Sequence, residues 1–340
     1  MRIKYGLELG IRAEMEPTIR AAEIARKNEL DYFLVPETHP KMAGVNAFDA
    51  LERIYDRGGM TTIGTGIVSV HSRYKEDILR ELNMLCPLED KKSAGDTKMV
   101  LGLGAGTKAL AKMWGFEKKY SLSKLRDYTM YLKYNLSPVQ DVRIFWGVSR
   151  DRAKITAASR IVPFESDRDL NPDGVILHME TTGEARRTAE MLRDAMRDSR
   201  RNYSKFELAA IRLVYFEDQD SDWRDSARRT LANYAANNSG YIPGLKRAGF
   251  GVEVDSIRDV YNQTKNPHLR LEYASKEVTD EMLEALTTHG RPGEIAEGLH
   301  AYGKKSGVKA VIAGIDMGKK DYYRPESIKN LEELAQNLHW

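Results

Sequence analysis

Short β-branched runs alternate with amphipathic stretches along the whole of this 340-residue chain. Alternation between a strand period of two and a helix period of 3.6 is typical of strand-then-helix units, whose strands pair in parallel. The predicted strands are Ile3–Ile11, Asp31–Pro36, Thr61–Val70, Lys98–Leu103, Val142–Trp146, Gly174–Met179, Phe206–Phe216 and Val308–Ile312. Eight regular units favour closure into an α/β (β/α)8 barrel over the alternative, a doubly wound open sheet.

The stretches between these strands predict helices whose apolar faces cover the sheet. The predicted helices begin near Pro17, Ala47, Trp223 and Pro325, and others cover residues 108–113, 121–135 and roughly 150–160. Two more helices are recognised by apolar residues at helical spacing: Ile78, Leu82 and Leu85 in one, and Ala185, Ala189, Leu192 and Met196 in the other. The arginines between the second set alternate with acidic residues, which predicts a solvated face rather than a phosphate site.

Two segments interrupt the rhythm of a chain that we otherwise predict to be one barrel domain over residues 1–340. Val162–Pro172 is a polar insertion before strand six, and a longer excursion covers about 238–290, between units seven and eight. Long connections inside compact domains usually serve as lids or contacts between subunits, so the excursion is predicted to be one or the other.

Composition excludes several classes of protein. Lys and Arg number 53 against 50 Asp and Glu, a net charge of +3 that is too small for a dedicated nucleic-acid binder. No apolar run is long enough to span a membrane, and no signal peptide precedes the first strand, so we expect a cytoplasmic protein. Cys86 is the single cysteine, which excludes an intramolecular disulfide and a cysteine cluster for zinc.

Two glycine-containing stretches come close to phosphate-binding motifs without matching them. Gly298–Lys305 begins like a Walker A loop, but it lies in an amphipathic stretch and has lysine where serine or threonine is required. Gly102–Thr107 reads G-x-G-x-G and follows the fourth strand, whereas the dinucleotide motif is G-x-G-x-x-G in the first unit. Its glycines indicate either close backbone approach at the end of a barrel strand or a tight turn with positive φ.

Four titratable side chains lie at positions where barrel enzymes have catalytic residues. His39, His71 and His178 fall at or just beyond the ends of predicted strands two, three and six, and those ends form the active-site face of a barrel. Glu8 lies inside the apolar first strand, where burial would raise its pKa. An inward carboxylate needs a chemical reason; the alternative is that Glu8 points outward and pairs with a lysine.

Two catalytic classes find little support in the motifs. The three strand-end histidines could bind a metal ion, but no H-x-H, H-x-x-H or H-E-x-x-H spacing accompanies them, and we predict no metal site. Hydrolysis by a serine triad would need a G-x-S-x-G elbow, which the chain lacks.

Taken together, the motifs resemble the bacterial-luciferase-like superfamily of flavin and deazaflavin oxidoreductases over nearly the whole chain. The stretches that carry the resemblance are Thr62–Val68, Leu101–Gly106, Gly147–Ser149, Asp173–Leu177, Gly290–Ile295 and Ser306–Val308. Their order along the chain, rather than any single motif, makes the likeness specific.

Within the superfamily the chain is most similar to the methylenetetrahydromethanopterin reductases, which use coenzyme F420. The stretches concerned are Tyr5–Glu8, Gly104–Ala109, Ser123–Asp127 and Val308–Gly314. The chain has Ala105 where luciferases carry an arginine, reads Glu37-Thr38-His39 where the family has its acidic-His pair, and adds the Val162–Pro172 insertion.

The resemblance implies a ring bound over the barrel mouth and a hydride passed to a C1-carrier such as a methylene-pterin. It also implies a cis peptide at Gly66–Ile67, a cofactor phosphate in the loop after strand five, Glu8 as the proton donor and His39 as a second catalytic residue in contact with the ring. The positions implied to bind the cofactor are Gly64, Gly66, Ile67, Gly104, Gly106, Gly147, Ser149, Arg150, Arg152 and His178.

Three rival functions stay open on the sequence. One is an FMN-dependent monooxygenase of the same fold, and another is a flavin-binding barrel that has lost turnover. The third is a metal-dependent hydrolase that uses His39, His71 and His178. The partner in each enzymatic case is a small molecule, and the resemblance implies a homodimer or a higher homo-oligomer.

Overall fold

The fold is taken from a computed structural model. It describes residues 2–10, 13–37, 45–57, 62–86, 98–106, 108–115, 117, 121–137, 140–160, 169–217, 223–315 and 323–339. His39, the second predicted catalytic residue, lies outside the described residues, as does most of the predicted insertion at Val162–Pro172.

A closed ring of parallel strands forms the centre of the fold. The strands are β1 Lys4–Leu9, β2 Tyr32–Val35, β3 Thr62–Ser69, β4 Lys98–Gly104, β5 Val142–Gly147, β6 Gly174–His178, β7 Glu207–Phe216, β8 Thr287–Gly290 and β9 Ala310–Ile315. Strands β1 to β7 pair in order, and β9 closes the ring between β7 and β1. The short β8 pairs with the carboxyl end of β7, outside the ring. The predicted (β/α)8 barrel is therefore confirmed.

Helices follow the strands and cover the outside of the ring. They are α1 Met15–Lys27, α2 Ala47–Tyr55, α3 Lys75–Leu85, α4 Lys108–Met113, α5 Ser121–Asn135, α6 Asp151–Ala158, α7 Thr182–Asp198, α8 Trp223–Asn237, α9 Ile242–Arg247, α10 Gly251–Gln263, α11 Arg270–Ala274, α12 Asp280–Leu286, α13 Pro292–Ser306 and α14 Pro325–His339. Among the described helices, none is long and apolar enough to cross a membrane.

The core has two layers because successive strand residues point to opposite sides of the sheet. The barrel interior is filled by a small set of side chains: Tyr32, Leu34, Val100, Phe145, Ile176, Ala209, Ile211, Ala310 and Ile312. A larger apolar layer lies between the sheet and the helices and includes the predicted inner faces of α3 and α7. The helical spacing therefore identified the buried face of each of these two helices.

The last barrel strand starts later than its apolar run predicts. Val308 and Lys309 are buried but lie in the turn after α13, and the strand covers Ala310–Ile315 instead of Val308–Ile312. Gly307 ends α13 in the left-handed conformation, and the Lys309 amine donates to the carbonyl oxygen of Phe206 at 2.5 Å. Backbone hydrogen bonds already join Lys309 to both neighbouring strands. Its N–H donates to the carbonyl oxygen of Leu208 at 2.8 Å, and its carbonyl oxygen accepts from the N–H of Lys4 at 3.0 Å.

The predicted excursion at 238–290 contains α9 to α12 and β8, and it builds a second apolar cluster with α8. Arg212, on the outward side of β7, ties it to the barrel. Its guanidinium donates to the carbonyl oxygens of Ala285 at 2.9 Å and Thr287 at 2.7 Å and lies over the ring of Tyr302. A buried arginine thus satisfies backbone acceptors where the excursion rejoins the ring.

Candidate active site

Glu8 points into the barrel near the carboxyl end of β1. Tyr5, Leu7 and Leu9 pack outward in the helix-facing layer, so Gly6 and Glu8 face inward by the strand alternation. Glu8 is 6% exposed, and burial raises its pKa well above the ordinary carboxyl value. The observed orientation is thus inward, not the outward lysine pairing weighed above. A carboxyl in this environment keeps its proton at a pH where ordinary carboxyls lose theirs.

A bulge in β3 lies directly against this carboxyl. The β3–β4 register shifts between Thr65 and Val68, and the Gly66–Ile67 peptide bond is cis, as the resemblance implied. A Cβ on Gly66 would lie 3.0 Å from Oε1 of Glu8, so a side chain at this position would push the carboxyl out of its present place. The carbonyl oxygen of Ile67 accepts from the N–H of Glu37 at 3.2 Å, which holds the bulge to β2.

The side chain of Ile67 fills a space that three glycines leave open. A Cβ on Gly104 would lie 1.8 Å from its Cδ1, and Cβ atoms on Gly147 and Gly102 would lie 2.8 Å and 3.1 Å from its Cγ2. The backbones of Gly104 and Gly147 therefore form the surface on which the Ile67 side chain packs. Their predicted contact with a cofactor stays a prediction.

Two other glycines predicted to bind the cofactor have local backbone reasons to be glycine. A Cβ on Gly64 would lie 2.0 Å from the carbonyl oxygen of Val100, which makes it a point of close approach between β3 and β4. Gly106 has a φ of 59° just after β4, the left-handed conformation that favours glycine. The Gly102–Thr107 stretch thus contains a tight turn, at Gly106, and close backbone approach is observed beside it, at Gly64.

We expect Gly104→Ala to lower the free energy of unfolding by about 1–3 kcal/mol, because its methyl group overlaps Ile67. Ile67→Ala in the same chain should recover part of that loss, giving a coupling of about 0.5–3 kcal/mol between the two sites. Denaturant unfolding of both single variants and the double variant measures the coupling. Gly293→Ala is the control: nothing lies within 4 Å of its Cβ, so it should stabilise α13 by about 0.5–1 kcal/mol. Additive effects at 67 and 104 would contradict the contact.

His178 ends β6 and belongs to an aromatic cluster. Its Nδ1 lies 3.2 Å from the hydroxyl of Tyr241, and its ring meets the rings of Tyr234 and Tyr241 edge-on at 4.8 Å and 5.8 Å between centroids. Burial lowers the pKa of His178 to about 4, so the imidazole is uncharged at neutral pH. The side chain can act there as a hydrogen-bonding group but not as a resident cation.

This low pKa predicts a pH dependence of stability. In the unfolded chain His178 takes up a proton near pH 6.5, while in the folded protein it does so only near pH 4. Its contribution to the free energy of unfolding is therefore complete above about 6.5 and is lost as the pH falls towards about 4. Between these two pH values the unfolding free energy of the parent should depend on pH more steeply than that of His178→Gln. The difference in slope should correspond to the uptake of one proton on unfolding. Equal slopes for variant and parent in denaturant titrations would refute the prediction.

The loop after β5 lies against the first residues of the excursion. The Arg150 guanidinium donates to Oγ of Ser239 at 3.3 Å, and a Cβ on Gly240 would lie 2.3 Å from Oγ of Ser149. Helix α6 begins at Asp151, so its first backbone N–H groups and the Ser149 hydroxyl form the part of the loop suited to an anion. Arg152 is exposed on the first turn of α6.

An ion-paired cluster anchors α9 of the excursion beside this loop. Oδ1 of Asp151 lies 2.7 Å from Nη2 of Arg187 on α7 and 3.5 Å from Nη2 of Arg247 on α9. Arg247 also pairs with Oε2 of Glu184 at 2.8 Å. These contacts hold α6, α7 and α9 together.

The structure separates two of the strand-end histidines. His178 turns to Tyr241, whereas Nε2 of His71 lies 3.1 Å from the hydroxyl of Ser121 on α5. Within the described ranges, no group of three or more His, Cys, Asp or Glu side chains is arranged to hold a metal ion.

Two features of this region were missed in the sequence. Tyr241 was read only as part of the excursion, and nothing in the local pattern indicates that it reaches β6. In the sequence, Glu37 stands out only as the acidic residue of the stretch Glu37-Thr38-His39. Its carboxylate accepts from Nε of Arg73 at 2.7 Å and from the N–H of Ala47 at 3.1 Å. The available signal was a glutamate directly after an apolar strand, at the end that forms the active-site face of a barrel.

Comparison with known proteins supports the resemblance. Residues 171–310 match the model of the luciferase-like monooxygenase family. Similar solved structures include the coenzyme F420-dependent tetrahydromethanopterin reductase from Methanopyrus kandleri, at a TM-score of 0.74 and 13% identity over 99% of each chain. An F420-dependent secondary alcohol dehydrogenase in complex with an F420–acetone adduct matches at 0.70 and 13%, also over 99% of each chain.

A structure of a flavin enzyme is also similar. The oxygenating constituent of 3,6-diketocamphane monooxygenase from Pseudomonas putida, in complex with FMN, matches at a TM-score of 0.61 and 12% identity over 99% of this chain and 98% of that one. At such identities the matched structures establish the fold. The match of residues 171–310 to the family model bears out the likeness to the luciferase-like superfamily.

Proposed function

We propose that this luciferase-like chain is an oxidoreductase that transfers a hydride from reduced coenzyme F420 to a methylene-pterin or a related C1-carrier. The observation that carries the proposal is the buried carboxyl of Glu8, whose pKa burial raises and which lies against the Gly66–Ile67 bulge at the barrel mouth. When bound, the deazaflavin supplies the hydride. The chain supplies the binding surface and the proton.

The residues present fit a flat, largely apolar ring. Ile67 and the bulge backbone form a raised surface that glycines support, and a Cβ on Gly66 would displace the carboxyl beside it. His178, on β6, lies across the barrel from Glu8 on β1, and its imidazole is uncharged. Such a mouth binds an aromatic ring without burying a charge against it.

The loop after β5 would hold the phosphate of the cofactor. Ser149 offers a hydroxyl, the first turn of α6 offers backbone N–H groups, and Arg150 and Arg152 offer positive charge. Arg150 is already turned towards Ser239 of the excursion, which would bring the excursion into contact with a bound cofactor.

Glu8 would be the proton donor of the reaction. As the methylene carbon receives the hydride, one of its two C–N bonds would break, and the proton of Glu8 would pass to the nitrogen so released. This leaves a carboxylate that takes a proton back from water. Burial keeps the acid protonated between turnovers, because the charged form is the unfavourable one in this environment.

An FMN-dependent monooxygenase is the second candidate. It is favoured by the match of residues 171–310 to a monooxygenase family and by the similarity to an FMN complex. That matched range begins after β5, so it omits Glu8 and the β3 bulge, on which the F420 proposal depends.

Equilibrium binding separates the two candidates. Fluorescence quenching of the purified protein is measured with oxidised F420, with reduced F420 and with FMN. Preference for F420 supports the proposal, and methylene-pterin reduction is then assayed. Binding of FMN alone would overturn it in favour of the monooxygenase, and binding of neither would remove both. Binding of F420 without reduction of any pterin would leave a cofactor-binding barrel without this activity and so contradict the reductase.

A variant of the phosphate loop sharpens this measurement. Ser149→Ala should weaken binding of intact F420 by about tenfold, the scale of one lost hydrogen bond to an anion. It should leave unchanged the binding of the same deazaflavin without its phosphate-bearing tail. Equal weakening for both compounds would place the phosphate elsewhere.

A further inference from the structure

Tyr241 is brought to the barrel mouth by the excursion. The residues just before it lie over the loop after β5, through the Ser239–Arg150 hydrogen bond and the close approach of Gly240 to Ser149. This places the Tyr241 hydroxyl 3.2 Å from Nδ1 of His178. The edge-on contacts among His178, Tyr234 and Tyr241 fix the planes of all three rings.

The direction of this hydrogen bond follows from what each atom can do. The hydrogen of this half-buried phenol is satisfied by an acceptor, and among the described residues Nδ1 of His178 is the partner found for the Tyr241 hydroxyl. Burial raises the pKa of Tyr241, so the phenol keeps its hydrogen. The phenol therefore donates, Nδ1 accepts, and the ring hydrogen of the imidazole is on Nε2.

We propose that Tyr241 is a positioning residue, which holds His178 in the tautomer with hydrogen on Nε2 so that this N–H donates to the substrate that accepts the hydride. This role rests on the proposed function. Within the described part of the chain, Nε2 of His178 has no hydrogen-bond partner of its own. Residue 178 follows the inward Ile176 by two positions, so its ring faces the same side of the sheet as the barrel interior.

The pair narrows the chemistry of the acceptor. An uncharged N–H donor on a half-buried side chain pairs well with a carbonyl oxygen or a ring nitrogen of a neutral molecule. A carboxylate or a phosphate would lose its hydration on binding at this position. The uncharged N–H supplies no positive charge to offset that cost. We therefore infer that the acceptor presents an uncharged lone-pair atom to His178.

The tautomer is tested on the protein alone, without cofactor or substrate. In ¹⁵N-histidine spectra at pH 7, with His178 assigned through His178→Gln, we expect a protonated Nε2 and an unprotonated, hydrogen-bonded Nδ1. Tyr241→Phe should remove the hydrogen bond and give a mixture of tautomers. Tyr234→Phe keeps a ring against His178 and should leave its resonances in place. Hydrogen on Nδ1 in the parent protein, or an unchanged spectrum in Tyr241→Phe, would overturn the proposal.

The role towards the acceptor is tested by kinetics with reduced F420 and methylene-tetrahydromethanopterin. Tyr241→Phe should raise the KM for the pterin by about tenfold, the scale of one hydrogen bond, and leave the dissociation constant of F420 unchanged. His178→Gln, whose amide can still donate, should keep more activity than His178→Ala. An unchanged KM in Tyr241→Phe would overturn this role. If F420 does not bind at all, the proposed function fails, while the ¹⁵N result still decides the tautomer.

Discussion

Replacement of Glu8 by glutamine is expected to lower kcat by about 10²–10⁴-fold, the usual contribution of a positioned general acid. Glutamine has the same shape and fits beside Gly66, but it cannot release a proton to the acceptor. The dissociation constant of reduced F420 should change little, because the substitution conserves volume and adds no charge. Stopped-flow hydride transfer together with equilibrium binding separates the two effects.

The pH profile gives this variant a second readout. An acid must be protonated to act, so the parent rate should fall as the pH rises through the raised pKa of Glu8, and this limb should vanish in Glu8→Gln. Stability follows the same sign. The folded protein binds this proton more tightly than the unfolded chain, so the contribution of Glu8 to stability is full below the ordinary carboxyl pKa and is lost as the pH rises through the raised one.

Glu8→Gln should consequently gain stability relative to the parent as the pH increases. Glu190→Gln, an exposed position on α7, is the matched control and should alter neither rate nor pH profile. A parent-like kcat in Glu8→Gln would exclude Glu8 as the acid and leave the proposed mechanism without its proton donor.

Replacement of Arg212 by methionine is expected to lower the free energy of unfolding by about 3 kcal/mol or more, since each buried acceptor left unsatisfied costs about 1–3 kcal/mol. The carbonyl oxygens of Ala285 and Thr287 both lose their guanidinium donor. Burial lowers the pKa of Arg212 only to about 10, so the parent side chain is still charged at neutral pH. Methionine fills most of the volume of the arginine side chain, so the measured loss mainly reports the missing hydrogen bonds and not lost packing.

The loss of stability should appear first as local opening around position 212, at a lower free energy than global unfolding. Native-state hydrogen exchange of Arg212→Met should reveal faster opening of α12 and β8, the elements that Arg212 anchors, than of β1 to β4. Arg197→Met, an exposed arginine on α7, should change stability by no more than a few tenths of a kcal/mol. Uniformly faster exchange throughout the barrel would contradict the tethering role.

The sequence indicated the barrel because its signals are local. Each strand-then-helix unit carries its own change of period, and the apolar positions of α3 and α7 identified the faces that these helices bury. Turns were harder: the apolar run predicts a strand from Val308, whereas Val308 and Lys309 lie in a buried turn and the strand begins at Ala310. The internal layout of the excursion was not predicted, because its short helices bury their apolar residues largely against one another and α8.

In the candidate site, the amino-acid sequence by itself identified Glu8 as a carboxylate inside an apolar strand, and the glycines of Gly102–Thr107 as positions of close approach or of a tight turn. The packing of Tyr5, Leu7 and Leu9 against the helices decided that Glu8 faces inward. Only the tertiary structure decided that Ile67 fills the space left by Gly104 and Gly147, and that Tyr241 meets His178 from 63 positions away. The physical reason is that periodicity specifies which face a residue occupies within its own element. Contacts between distant elements depend on how those elements pack, and no local pattern carries that information.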